Sequence, residues 1–505
     1  MTKPRTPTIV VAGAGLSGLC AAVSAREAGA RVVLLEKGSR QDVGGNAAFS
    51  GGLFLFCYDG PDDLTSVTED FEPGLKADRI EAPPYTRQAY AAELMAMSGG
   101  RAEPRLVDEL AERSLDTVRW LAAKGVRFTF NRTLGAAVRD GVLHIPPGQV
   151  LTCVGEGMSR GFEVIRPLLA YAERIGVEIR WSAPLMEVEV ERGGGRVTGA
   201  VVGDGGETVP ADAVVIAAGG FQGSRELRRE YLGPQWETAR LRGTRLATGD
   251  GIQAALRAGA DKAGAWTSCH SAAVDPTQPS PQRSEASPPF PLHGFWLGVL
   301  VNRDGERFVD EGPGPWVRNY SKMGKAIMRQ PGCEAYEIFD QRTAAKVADE
   351  FAGAAVPIVA HTVPELAERI GVPADRLAHT LKTFNNACPA GDGATEDGTR
   401  EERGTAALTP PKSRWASPLD RPPFVAYHAV AGLTFTFGGL RIDPDGRALG
   451  ADGTPVPGLY AAGEAVGGLF YGDYPGGAAL MRAAVFGRAA GHTAATETEP
   501  ASRPA

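Results

Sequence analysis

The hydrophobic pattern changes period twice near the start of the chain. Thr8–Ala12 is a short β-branched run of the fully buried kind. A glycine-rich turn follows, then an Ala-rich stretch at helical spacing to Ala28, then a second buried run, Arg31–Leu35, ending at Glu36. This reads as β–loop–α–β. The glycines inside residues 9–28 argue against a secretory signal there. Further on, residues 164–175 predict a helix, and 177–181, 187–191 and 197–202 predict strands. Residues 213–217 form a buried strand that stops at Gly219-Gly220, and 252–258 are helical. The pattern then breaks: residues 275–291 are crowded with Pro, Ser and Gln and read as a surface loop. A strand at 298–302 leads into the hairpin turn Asp304-Gly305, and 364–370 and 374–386 are helical. Residues 390–404 are polar and Gly-rich. Strand character returns from 422, with a buried strand at 458–462 and a last helix over 476–491. No repeat of fixed period is present. The α/β segments at both ends bracket a different middle. The expected organisation is a discontinuous nucleotide-binding domain, residues 7–267 and 421–495, with a capping domain inserted at 268–420 and a disordered tail at 496–505.

Composition narrows the class. With 505 residues the chain has ample length for a large core and a closed site. Lys+Arg 53 against Asp+Glu 60 gives −7, which carries no electrostatic footprint for nucleic acid. No apolar run is long enough for a transmembrane helix. The six cysteines, Cys20, Cys57, Cys153, Cys269, Cys333 and Cys388, stand far apart and form no C-x-x-C. That spacing argues against a zinc ribbon or iron–sulfur cluster and suits a reducing, cytoplasmic compartment. The histidines show no metal spacing, so no metal is expected.

The turn after the first strand is Gly13-Ala-Gly15-Leu-Ser17-Gly18, and Glu36 lies 18 residues past Gly18. A strand before it, a helix after it and an acid about 20 residues on make a dinucleotide fingerprint. Gly13 permits the tight turn, Gly15 lets backbone approach a pyrophosphate, and Gly18 allows close helix–strand packing. The helix N-terminus faces the phosphates. Glu36 accepts from ribose hydroxyls, and its charge disfavours a 2′-phosphate. No second motif of this kind occurs, so a dedicated nicotinamide-nucleotide domain is not expected.

Beyond this unit stands Gly44-Gly-Asn46-Ala-Ala-Phe-Ser50-Gly51-Gly52, and near the end Gly458-Leu-Tyr-Ala-Ala-Gly-Glu464. With Val301-Asn-Arg-Asp-Gly-Glu-Arg-Phe308, Thr434-Phe-Thr-Phe-Gly-Gly439 and Tyr474-Pro-Gly-Gly477, these segments resemble the fumarate reductase/succinate dehydrogenase flavoprotein superfamily. The likeness runs from about residue 7 to 492. It is nearest to the tricarballylate dehydrogenase-like members, through Arg242-Gly-Thr, Thr248-Gly-Asp-Gly251 and Cys269-His270. The resemblance implies a Rossmann-like FAD-binding domain with an inserted α+β capping domain. No histidine lies in 44–52, so the FAD is expected to be non-covalent. The resemblance places Ser17 and Gly18 at the pyrophosphate, Glu36 at the adenosine ribose, and Asn46, Gly51 and Gly52 along pyrophosphate and flavin. Val188 meets adenine through its backbone. Asp250 and Glu464 hold the sugar chain, and Ala479 and Leu480 sit by the pyrimidine edge. Gly13, Gly15, Lys37, Gly45, Ser50, Ala218 and Gly219 complete the cofactor set.

The activity implied is α,β-desaturation or its reverse. Its substrate is a small carboxylic acid or ketone, and a quinone, carrier protein or oxygen accepts the electrons. Fumarate reductases use two histidines and two arginines for such chemistry. Here His270 matches one histidine and Arg318 approximately matches the proton-transferring arginine. Thr434 stands for the second histidine and Tyr474 for the second arginine. Those two replacements argue against succinate or fumarate as substrate. Tyr474-Pro-Gly also resembles ketosteroid dehydrogenases, where a tyrosine polarises a carbonyl. A phenol offers one neutral hydrogen bond and an arginine a charged fork. Tyr474 therefore points to a carbonyl, or to a carboxylate bound mainly elsewhere. Tyr320 rivals Arg318 as the proton-handling group, and Arg303 and Arg307 are expected to be surface charges of the hairpin. A substrate-free flavin relay is the alternative outside enzymes proper.

Overall fold

The computed structural model describes residues 5–68, 77–131, 136–155, 160–191, 195–280, 290–314, 319–389 and 403–497. The opening β–α–β unit forms as the pattern predicts: β1 (Thr8–Ala12), α1 (Leu16–Glu27) and β2 (Arg31–Leu35). β1 pairs in parallel with β2. β3 (Glu178–Arg180) joins the outer edge of β2, and β4 (Ala213–Ile216) joins the other side of β1. Runs such as Ala213-Val-Val-Ile216 are buried at every position, as a parallel sheet covered on both faces requires.

The chain then builds a second sheet. β5 (Lys262–Val274) is antiparallel to the long β7 (Phe424–Leu440), with β6 (Glu334–Phe339) on β7's other edge after α2 (Tyr320–Met328). Lys262 pairs with Leu440 at one end and Val274 with Val430 at the other. The register breaks between Ala265 and Cys269 and again after His270. Such bulges re-aim side chains. The division expected at 267/268 falls within β5, a single strand that serves both regions.

β8 (Arg447–Leu449) and β9 (Pro455–Ala461) return to the first sheet, giving the order β8-β9-β4-β1-β2-β3. The last helix, α3 (Ala478–Glu497), lies against α1. That contact is made possible by glycine. A Cβ at Gly487 would stand 2.4 Å from the Ser17 carbonyl oxygen, and one at Gly491 2.1 Å from that of Ala21. α1 is buried without interruption from Leu16 to Ala25, so it is apolar all round rather than on one stripe.

Two expectations are corrected. Residues 496 and 497 belong to α3 and not to a tail, because Glu497 accepts from Arg447 Nε at 2.9 Å; residues 498–505 lie outside the described residues. Arg307 is not a surface charge. Its side chain is 5% exposed, bound to Glu311 at 2.5 Å and to the Pro410 and Pro411 carbonyls at 2.9 and 3.2 Å. It pins the hairpin to the segment before Lys412. Arg303 is exposed and pairs with Glu334 at 2.8 Å. No helix among the described residues is long and apolar enough to cross a membrane.

Candidate active site

A continuous cavity of about 550 Å³ is lined by both sheets and the loops between them. Backbone builds one end. At Gly13 φ is 105°, and a Cβ would stand 2.5 Å from the Ala217 carbonyl oxygen, so only glycine closes this turn. Gly15 differs. The protein atom nearest a Cβ there is 3.7 Å away, and the residue lines the cavity. The protein leaves room at Gly15, and the absent side chain keeps backbone bare toward the cavity. Gly15 is also the N-cap of α1 and supplies no side chain to the first amides, which suits phosphate oxygens.

Glu36 accepts from the Ala14 and Gly38 amides at 2.8 and 2.7 Å. Burial raises its pKa, and those two amides and Lys37 oppose the rise. Each oxygen keeps a lone pair for a ribose hydroxyl. Lys37 Nζ meets the Asp250 carboxylate at 2.6 Å, and both line the cavity. Asn46 is a cross-link: its amide donates to the Thr434 carbonyl at 2.9 Å and to the Glu464 carboxylate, while its oxygen accepts from Thr244 N at 2.8 Å. Gln222 donates to the same carboxylate at 3.1 Å. Ser17, Gly45, Ser50, Gly51, Ala218, Gly219, Ala479 and Leu480 also line the cavity. Gly18, Gly52 and Val188 stand behind the lining. A Cβ at Gly18 would meet the Gly13 carbonyl oxygen at 1.8 Å, and one at Gly52 the Arg160 carbonyl oxygen at 2.8 Å. The Val188 side chain is buried in the strand Leu185–Val190.

Side chains build the other end. His270, aimed by the β5 bulge, stacks on Phe435 at 5.3 Å between ring centroids. It meets the rings of Tyr320 and Tyr474 edge-on at 5.1 and 5.4 Å. Burial, with Arg242 and Lys325 adding, pushes its pKa well below the usual imidazole value, so the ring is neutral. Its Nδ1 is buried and finds no hydrogen-bond partner among the described residues. Tyr320 begins α2 and Tyr474 lies in the loop before α3. The next residue of α2, Ser321, donates to Asp473, and Lys325 donates to the Gly472 carbonyl. Asp473 also accepts the Tyr474 amide at 3.0 Å. The two phenols are thus held together by contacts between neighbouring residues. Burial lifts the Tyr474 pKa well above the usual phenol value, and its hydrogen bond with Tyr320 adds to the rise. Arg318 lies outside the described residues.

The cavity adds a group that carried no role in the sequence reading. Arg242, 5% exposed, lines it with Nη1 3.4 Å from the Thr434 hydroxyl. Burial lowers its pKa, while its charge interactions with Tyr320 and Tyr474 act against that. The signal available was an Arg-Gly-Thr run just before the Thr248-Gly-Asp-Gly251 turn. His293, Phe290 and Glu350 complete this end.

The chain matches the FAD binding domain family over residues 8–480. It is 28% identical over 501 residues to the NADH:fumarate oxidoreductase of Klebsiella pneumoniae (strain 342), over 97% of this chain and 48% of the relative. The chain therefore spans about half that relative's length. It is 29% identical over 575 residues to the 4-oxocyclohexanecarboxylate 2-dehydrogenase of Sinomonas cyclohexanicum, over 98% of this chain and 94% of that one. The solved open conformation of a flavocytochrome c3 fumarate reductase matches with a TM-score of 0.70 at 26% identity, over 98% of this chain and 79% of that one. The Gly15 cradle, the uncapped α1 N-terminus and the Glu36 carboxylate fit FAD. The chain belongs to the FAD binding domain family of flavoprotein oxidoreductases, with the fumarate reductases among its relatives.

Proposed function

We propose that the chain desaturates a C–C bond α,β to a carboxylate or carbonyl, with FAD held non-covalently. Tricarballylate-like acids come first among the substrates inferred from sequence. The observation that carries this reading is the Tyr320–Tyr474 pair set around a neutral His270. Bound FAD supplies the hydride acceptor for the substrate's β carbon. Tyr320 takes the α proton, and the electron pair of the broken Cα–H bond becomes the new π bond. Tyr474 and the His270 ring hold the activating oxygen. Tyr320 acts as the phenolate, its charge facing the Arg242 guanidinium until the proton neutralises it, while the Tyr474 O–H, paired with Tyr320 in the free site, turns to the substrate oxygen. An arginine's pKa makes it a poor base without a relay, so Tyr320 is preferred to Arg318. The two electrons leave to an acceptor outside the chain: a quinone, a carrier protein or oxygen.

A second reading, reduction of an activated double bond, uses the same residues with the proton moving the other way. The likeness to a 4-oxocyclohexanecarboxylate dehydrogenase supports the oxidative direction and keeps a ketone in play beside an acid. Anaerobic titration with tricarballylate, a cyclic keto acid and a 3-ketosteroid tests the proposal through the oxidised-flavin band. Bleaching by an acid or ketone in wild type, and slowed at least about 100-fold in Tyr320→Phe, is the expected result. Full-rate bleaching in Tyr320→Phe removes the tyrosine from its role. A yellow protein that none of them bleaches favours the reductase or the electron relay.

A further inference from the structure

We propose that Arg482 is a buried positive charge that stabilises the reduced flavin and so raises the flavin's reduction potential. This rests on FAD binding and not on the desaturation reading, since it holds whichever way a substrate reacts.

Arg482 is 1% exposed, on the second turn of α3. An arginine there is costly, because it leaves water and stays charged. Burial lowers its pKa from 12.5 to about 10, which keeps it protonated at neutral pH. Its partners do not offset that cost. Nε and Nη2 are buried and find no hydrogen-bond partner among the described residues. The guanidinium lies over the rings of Phe470 and Phe435, 4.6 and 5.6 Å from their centroids, contacts that make up only part of the desolvation. Glu464 acts on it through charge and not contact, its oxygens being taken by Asn46 and Gln222 at 2.9 and 3.1 Å.

Position gives the charge a use. Phe435, Glu464 and Tyr474 line the cavity, and Arg482 stands behind them. Ala479 and Leu480, from the turn of α3 before it, are in the same lining, where the resemblance places the pyrimidine edge of the flavin. Tyr474 stands where the resemblance expects an arginine, and Arg482 brings a guanidinium to that corner from behind the wall. Two electrons and one proton convert the neutral oxidised ring to a reduced ring with one negative charge. A fixed cation in a dry wall favours the charged form over the neutral one. Other cations surround the cavity: Arg160 and Arg242 line it, Lys37 pairs with Asp250, and Lys325 donates to the Gly472 carbonyl. They act alike whatever stands at 482, so they cancel when variants are compared.

The test is the midpoint potential of substrate-free, FAD-loaded protein, measured by anaerobic dye equilibration in wild type, Arg482→Met, Arg482→Gln and Arg482→Lys. Arg482→Met and Arg482→Gln should each move the oxidised-to-reduced ratio about tenfold toward oxidised, a fall of about 30 mV for a two-electron couple. By linkage they should weaken binding of reduced FAD about tenfold relative to oxidised FAD. Arg482→Lys keeps the charge and should stay close to wild type. An unchanged potential in both neutral variants overturns the proposal. An equal fall in all three also overturns it, because packing and not charge would then set the potential. Arg482→Gln and Arg482→Lys decide the matter alone if Arg482→Met does not fold. No substrate enters the measurement, so the desaturation reading can fail while this one stands, and the reverse.

Discussion

The two ends of the cavity are built by different means. The cofactor end is a backbone surface, in which Gly13, Gly15 and the first turn of α1 come from one short stretch of chain. The substrate end is a side-chain surface, in which Arg242, His270, Tyr320, Thr434 and Tyr474 arrive from segments scattered over nearly half the sequence. A backbone cradle recognises what all dinucleotides share and tolerates little change. A side-chain wall sets specificity and can change one residue at a time. Substitutions at the first end should therefore abolish folding or colour, and those at the second should alter rate and preference in a yellow protein.

The largest effect separates two glycines of one motif. Gly18→Val should yield no folded protein, because its Cβ would overlap the Gly13 carbonyl oxygen, 1.8 Å away. Gly15→Val should fold, since the nearest protein atom is 3.7 Å from its Cβ, and should come out colourless. Expression, circular dichroism and the visible spectrum distinguish them. A yellow Gly15→Val protein breaks the comparison at its first end.

At the second end, Tyr474→Phe should lower turnover roughly 100-fold with FAD still bound, the scale for losing a positioned polar group at a reacting centre. Loss of flavin instead would move Tyr474 to the cofactor side.

The second sheet also carries a buried carboxyl, and unlike Glu36 it has no amide to oppose the cost of burial. Glu337 on β6 is fully buried, and neither carboxylate oxygen has a partner among the described residues. Burial and the nearby Glu350 push its pKa up from 4.5 to about 8, against the pull of Lys412. The folded state then binds more protons than the unfolded one between those values, so stability falls as pH rises through that window and levels off above it. One group shifted this far contributes at most about 5 kcal/mol across the window. Glu337→Gln should flatten the thermal midpoint between pH 5 and 8 relative to wild type. Parallel curves for the two proteins would show that Glu337 does not titrate there.

The smallest effect belongs to the Lys37–Asp250 pair, whose side chains are 29% and 48% exposed. Asp250→Asn should weaken FAD binding only a few-fold, and less at high salt. A complete loss of flavin would make this pair part of the cradle itself.

The cofactor end was legible because its determinants are local. A β-branched run, a glycine spacing and an acid at the next strand's end lie within one β–α–β unit, and backbone geometry alone dictates them. The same locality explains why the hairpin at Asp304-Gly305 was readable: the Asn302 carbonyl accepts the Gly305 amide at 3.0 Å. Arg307 was misread because its partners, the carbonyls of Pro410 and Pro411, lie some hundred positions away. His270 and Tyr474 were legible as family positions and Tyr320 as a candidate for the proton, but not the contact that joins the three rings.

The sequence by itself determined the βαβ unit, the FAD class and the replacement of an arginine by Tyr474, because each is a matter of residue type at a local spacing. Tertiary structure alone decided that His270 is neutral, that the two phenols share a hydrogen bond, and that Arg242 brings a positive charge to the same wall. Burial and long-range packing set those states, and neither can be read from the order of residues along the chain.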